Sequence, residues 1–306
     1  MKTIKNPNDS KLLQDDINNL VNWSKSTQLQ FNESKTKVQR ITRKTKPIVS
    51  TYKLLDTPIN RTPHQKDLGV FISENLSWAK QTIEQCLKAT KLLGFVRRNT
   101  KFIESIQIRR CIYLTLVRCH LGYATQVWAP QSIDLMRKTE RIQRRASKFI
   151  LKLPFICQES YKERLIQLNL LPITLWHEYI DLLFLFKAVN GILKISSDVL
   201  PDIRKISRTT RSSANQNITL LNITKCKTLS YQRSYYIRTS RVWNELAHRL
   251  ELSLTMDIAT LKDRLKLYYT MAVCNTYDAD DARSWKTICP SCNKARTLTA
   301  TLTCCF

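Results

Sequence analysis

Cys289 and Cys292 stand at Cys-x2-Cys spacing near the end of the sequence, with Cys304 and Cys305 behind them. Four thiolates are one way to fill a tetrahedral zinc site, but adjacent cysteines rarely both reach one ion. Two readings stay open: a Zn2+ site built on Cys289, Cys292 and one or both of Cys304 and Cys305, or thiols in a frayed tail. Two pairs of neighbouring aspartates resemble divalent-metal sites by letters alone. Asp15-Asp16 falls inside a predicted helix, where adjacent side chains point about 100° apart. Asp280-Asp281 follows Asp278-Ala279 with no apolar strand around it. Both are read as solvated carboxylates. His64, His120, His177 and His248 are scattered and form no triad pattern, and four glycines leave no phosphate-cradling loop.

The densest chemistry is cationic. Residues 135–153 carry Arg137, Lys138, Arg141, Arg144, Arg145, Lys148 and Lys152, with Glu140 the one acid set against them. In the same turns Leu135, Thr139, Ile142, Ala146, Phe149 and Leu153 recur at steps of four and three, the spacing of one helical face. The segment is expected to dock by that seam and to offer a cationic stripe to a polyanion. Further on, Tyr231, Arg233, Tyr235, Tyr236, Arg238, Arg241 and Trp243 interleave aromatics with cations, a mixture that stacks on bases and pairs with phosphates. Tyr235, Val242, Leu246 and Leu250 fall near one helical face, which favours core aromatics flanked by solvated arginines.

The elements that must hold these residues follow from pattern. Residues 11–26 read as a helix capped at Asn8-Asp9-Ser10, burying Leu13, Ile17, Leu20 and Val21. Strand-like segments follow at 29–31, 37–42, 49–55 and 67–73; in the last, Leu68, Val70 and Ile72 alternate with Gly69, Phe71 and Ser73. From Ala79 the period turns helical. Ile83, Leu87, Leu93 and Val96 support one helix, and Ile106, Tyr113, Val117, Leu121, Ala124 and Trp128 a second that stops before Pro130. The basic helix is the third of this bundle. After Pro172, Leu175, Tyr179, Leu182, Phe186 and Val189 mark an apolar helix that ends at Gly191 and is central to a second core. Residues 196–217 read as a loop, and 231–250 and 260–269 as helices. The fold class expected is α+β, mainly α, with divisions at 1–78, 79–155, 156–274 and a cysteine-bearing tail at 275–306.

A chain of 306 residues that is 43% hydrophobic is expected to be folded. Fifty Lys and Arg against 24 Asp and Glu give a net charge of +26, far beyond what solubility needs. The excess comes in blocks: six cations and no acid in 35–46, and eight in 80–110, Arg97 and Arg98 among them, against Glu84 and Glu104. A further ten stand in 204–249 against Glu245. Many spaced cations suit a nucleic acid that is wrapped or threaded. The longest apolar run, 182–186, is too short to span a bilayer, and the first residues carry no apolar secretion core. The expectation is an intracellular protein, nuclear or cytoplasmic, with no membrane partner and its ten cysteines present as reduced thiols or metal ligands and not as a disulfide framework.

Four stretches in order carry a family resemblance: W-S-K-S-T-Q-L-Q-F-N-E-S-K-T-K at 23–37, K-D-L-G-V-F-I-S-E-N-L-S-W at 66–78, L-V-R-C-H-L-G-Y-A-T-Q-V-W-A-P at 116–130, and R-I-Q-R-R-A-S-K-F-I-L at 141–151. Together they resemble the carboxy-terminal part of reverse transcriptases from non-LTR (LINE-type, jockey-like) retrotransposons. The resemblance covers nearly the whole chain. It implies a late palm motif at Phe31 to Thr36, in which Lys35 approaches the phosphates of the incoming nucleotide and protonates the leaving pyrophosphate. It implies a primer-grip hairpin around Leu68, Gly69 and Val70, and a thumb over 79–155 that tracks an RNA or RNA/DNA template-primer with its cations. Polymerases of this kind need paired carboxylates for two metal ions. In the family these lie on an aromatic-Ala-Asp-Asp hairpin just before the position of the first helix here, so the chain is expected to lack them and to be inactive alone. Mg2+ would then belong to a full-length polymerase. A nucleic-acid-binding fragment is the reading adopted; the alternatives are a basic helical scaffold that binds proteins through its apolar seams and a decayed mobile-element fragment.

Overall fold

A computed structural model describes residues 2–42, 44–154, 156–204, 218–289 and 295. The chain divides into two compact units, 1–81 and 82–306.

The first unit opens with helix α1 (Pro7–Thr27). Its cap is Asn6, whose side chain accepts from the Asp9 amide at 2.9 Å while the Asp9 carboxylate accepts from the amides of Asn6 and Lys5. The cap lies ahead of the expected Asn8-Asp9-Ser10, because Pro7 suits the first helical position, where no amide is needed. Of the expected face Val21 is buried, Leu13 and Ile17 are half-buried and Leu20 is exposed. Gln14 ties α1 to strand β1 (Lys53–Leu54), exchanging two 2.9 Å bonds with the Lys53 backbone. That strand pairs antiparallel with β2 (Thr57–Pro58).

A second hairpin joins β3 (His64–Asp67) to β4 (Val70–Ser73). The strand expected over 67–73 is therefore cut by a two-residue turn at Leu68 (φ 44°) and Gly69 (φ 84°). Positive φ at both central residues is the conformation whose twist matches a tight hairpin. The segments expected as strands at 29–31 and 37–42 contribute only a bridge from Val38 to Arg61.

The second unit is helical: α2 (Ala79–Asn99, entering from the first unit), α3 (Ile106–Ile112), α4 (Cys119–Gly122), α5 (Thr125–Trp128), α6 (Ile133–Ile150) and α7 (Tyr161–Gln167). After these come α8 (Ile173–Val189), α9 (Leu229–Gln232), α10 (Tyr235–Leu250) and α11 (Ile258–Asn275). With two small antiparallel sheets in the whole described chain, the fold is α+β, mainly α.

The single helix expected over 106–128 is broken. A π-helical stretch over Tyr113–Arg118 widens its middle, and Ala124 in the left-handed region (φ 54°) separates α4 from α5. At the end of α4 the Trp176 indole lies so close to Gly122 that a Cβ there would sit 2.3 Å from its ring. Only glycine admits that approach.

Helix α8 is central, packed by α5, α6, α10 and α11, as its apolar pattern predicts. One contiguous core runs from Ala89 to Trp285 and crosses the expected boundary at 155/156 without interruption. Tyr277, Trp285 and Cys289, expected in a tail, are buried. Of the loop expected at 196–217, residues 205–217 lie outside the described residues.

Candidate nucleic-acid interface

Helix α6 starts at Ser132, whose hydroxyl accepts from the Leu135 amide, and Asp134 lies in its first turn, where the helix dipole favours an acid. Its buried side is wider than the expected stripe. Thr139, Ile142 and Ala146 are buried as expected, whereas Leu135, Phe149 and Leu153 are half-buried. Met136, Gln143, Ser147 and Ile150 join the buried set, because α3, α7 and α8 all pack on this helix. Glu140 is also buried, so it does not stand against the cations at the surface.

The surface that remains carries Lys138, Arg141 and Arg145, all exposed, at steps of three and four residues and thus on one face. Arg137 is exposed too, but leans toward Asp134 at 3.8 Å and lies 5.8 Å from the centre of the Trp285 ring. Three other residues of the stripe are half-buried or paired. Arg144 donates to the Ala279 carbonyl at 2.7 Å, approaches Asp280 at 3.4 Å and stands over the Tyr161 ring. Lys148 is half-buried, and Lys152 pairs with Glu104. Arg97 and Arg98 are exposed in the last turn of α2, where cations complement the dipole.

In the first unit Lys35 is exposed in a turn headed by Asn32, whose side chain accepts from the Lys35 amide at 3.0 Å. Gln39, a few residues on, donates to the carbonyl of Ile72 at 2.7 Å and of Pro63 at 3.3 Å, fastening this segment to the β3–β4 hairpin. At the hairpin, Leu68 is 85% exposed at the tip and Val70 is buried. Lys35, Leu68, Gly69 and Val70 thus share the first unit, and the α2 and α6 cations the second.

The carboxylate pairs are not metal cages. Asp16 pairs with Lys2 at 2.6 Å, and Asp281 is fully engaged by the amide and Nε of Arg283. Among the described residues no group of His, Cys, Asp and Glu is placed to hold a metal ion. Cys289 is 1% exposed; Cys292, Cys304 and Cys305 lie outside the described residues. Within the aromatic-cation run of 231–243, three residues serve packing: Tyr235 donates to the Asp181 carbonyl at 2.7 Å, Trp243 stacks on Phe186, and Arg238 pairs with Asp181 at 2.6 Å.

A second gathering of charge has no sequence signature. A cavity of about 250 Å3 opens between α8, α10 and residues 286–289, with Arg233, Arg238, Arg241, Lys286, Glu178 and Asp181 among its lining residues. Its parts come from distant segments, so no spacing rule gathers them. Set against protein-family models, curated proteins and solved structures, the chain matches none. No helix among the described residues is long and apolar enough to cross a membrane.

Proposed function

We propose that the protein binds nucleic acid, gripping RNA or a template-primer duplex along its phosphate backbone, as the thumb and carboxy-terminal region of a LINE-type reverse transcriptase would. The observation that carries the reading is the exposed face of α6, where Lys138, Arg141 and Arg145 align over a helix whose other sides are packed. A net charge of +26 supports it, because phosphate contacts release counterions and that release drives association. Lys35 and the Leu68-Gly69 hairpin tip are the further contacts implied by the resemblance, in the late palm and the primer grip.

The reading assigns binding and not polymerisation to residues 1–306. Asp15 and Asp16 occupy neighbouring positions of α1, and Asp281 is already held by Arg283, so neither pair supplies the two convergent carboxylates that nucleotidyl transfer needs. A zinc site at Cys289, Cys292, Cys304 and Cys305 would add a stapled element next to the core. Metal content of the purified protein, measured with and without a chelator, tests it: zinc at one equivalent supports the site, and zinc-free protein that keeps its fold removes it.

Binding to a short RNA/DNA duplex across a salt series tests the main reading. With about six phosphate contacts the affinity should fall about a thousandfold between 50 and 200 mM salt. An affinity that hardly changes with salt would sink it.

A further inference from the structure

The cavity between α8, α10 and residues 286–289 is lined by the apolar side chains of Leu182, Val242 and Ile288 together with a strongly charged set. Four cations line it against two carboxylates, and the carboxylates are already occupied. Glu178 accepts from the Thr287 amide at 3.0 Å and the Thr287 hydroxyl at 2.8 Å, both buried. Asp181 is paired with Arg238, which is further held by the carbonyls of Thr125 and Gln126.

That leaves Arg233, Arg241 and Lys286. Among the described residues none of the three is joined to a carboxylate by an ion pair. The Lys286 ammonium donates to Gln131 Oε1 at 3.0 Å and to the Pro130 carbonyl at 3.4 Å, both neutral acceptors. Burial pushes its pKa down to about 8 although the nearby Glu178 and Asp181 carboxylates pull it up, the mark of an ammonium held where charge is poorly solvated. Ordinary folding economy would replace such a lysine or pair it.

We propose that this cavity is a binding site for a small organic phosphate, a phosphate monoester on a compact apolar body. The surplus of two positive charges matches a monoester, which carries about −1.5 to −2 at neutral pH. Guanidinium groups present paired N–H donors to phosphate oxygens, and Lys286 adds a point charge. The apolar lining residues take the organic body, and the volume suits a single ring. The site is separate from the exposed face of α6, so it stands or falls independently of duplex binding.

Titration of the full chain with phenyl phosphate, followed by calorimetry at physiological salt, tests the proposal. One saturable site is expected, with phenol at least tenfold weaker. The Arg233→Gln/Arg241→Gln variant should lose at least tenfold in affinity, whereas a Lys138→Glu/Arg141→Glu/Arg145→Glu variant should bind phenyl phosphate as the wild type does. Binding at many equivalent sites, unchanged affinity in the cavity variant, or an equal loss in the α6 variant would overturn it. A second measurement needs no variant: phenyl phosphate should slow acetylation of Lys286 in the wild-type protein, read by peptide mass spectrometry. Labelling that proceeds at the same rate with saturating phenyl phosphate would equally overturn it.

Discussion

A carboxylate inside a helical core is costly unless donors surround it, and Glu140 is surrounded. Tyr161 donates its hydroxyl to Glu140, the Ile173 amide donates at 2.9 Å to one oxygen and 3.2 Å to the other, and Tyr161 also accepts from Gln143. Gln143 in turn accepts from Tyr113 at 3.0 Å and donates to the Leu171 carbonyl. The network fastens the start of α8 to the middle of α6. Burial outweighs these bonds and raises the Glu140 pKa from 4.5 to about 7. The folded state therefore keeps a proton that the unfolded chain has released, so this group's contribution is fully present below about pH 4.5 and lost as pH rises through about 7. Urea midpoints of the wild type should fall, relative to Glu140→Gln, across that window; a variant that tracks the wild type at every pH would contradict the assignment. His177 works in the opposite sense. Buried with its Nε2 2.7 Å from the Leu121 carbonyl, it is pushed down to about 3, so its contribution is present above about pH 6.5 and lost as pH falls toward 3. Neither role was legible in the sequence: Glu140 reads as a lone surface acid and His177 as one of four scattered histidines.

Helix α6 shows where periodicity succeeds and where it stops. Thr139, Ile142 and Ala146 were placed on the buried side by spacing alone, and they are buried. A hydrophobic stripe, however, reports only apolar contacts. Gln143, Ser147 and Glu140 are buried through hydrogen bonds to partners far along the chain, and nothing in their local sequence marks those partners. Truncating Ile142 to Ala should cost about 2 to 5 kcal/mol in unfolding free energy, the range for emptying a packed position. A negligible change would mean that α6 does not dock as described. At the hairpin, the alternation of Leu68 to Ser73 gave the strand but concealed the turn, because Leu is a poor residue for positive φ. Replacing Leu68 by Asn, which tolerates that region, should raise stability by up to about 1 kcal/mol. Loss of stability instead would show that the exposed leucine has a packing role.

Across the molecule, the two units divide the candidate contacts between them. The mainly helical class was legible, because long periodic segments such as α2, α8 and α10 announce themselves. The division expected near residue 155 follows the extent of the thumb that the resemblance implies, and the core from Ala89 to Trp285 is continuous there. Basic blocks were legible as charge, but their availability was not. Of the residues on the stripe, Arg144 is engaged by Ala279, Asp280 and Tyr161, Lys152 by Glu104 and Arg137 by Asp134, and Lys148 is half-buried, which leaves Lys138, Arg141 and Arg145 as the aligned exposed set.

The salt dependence of duplex binding by the Lys138→Glu/Arg141→Glu/Arg145→Glu variant tests that set most directly. If each cation meets one phosphate, the variant should bind more weakly, and its plot of log affinity against log salt should be shallower by about three. A variant with the wild-type affinity and slope would contradict a nucleic-acid interface on α6.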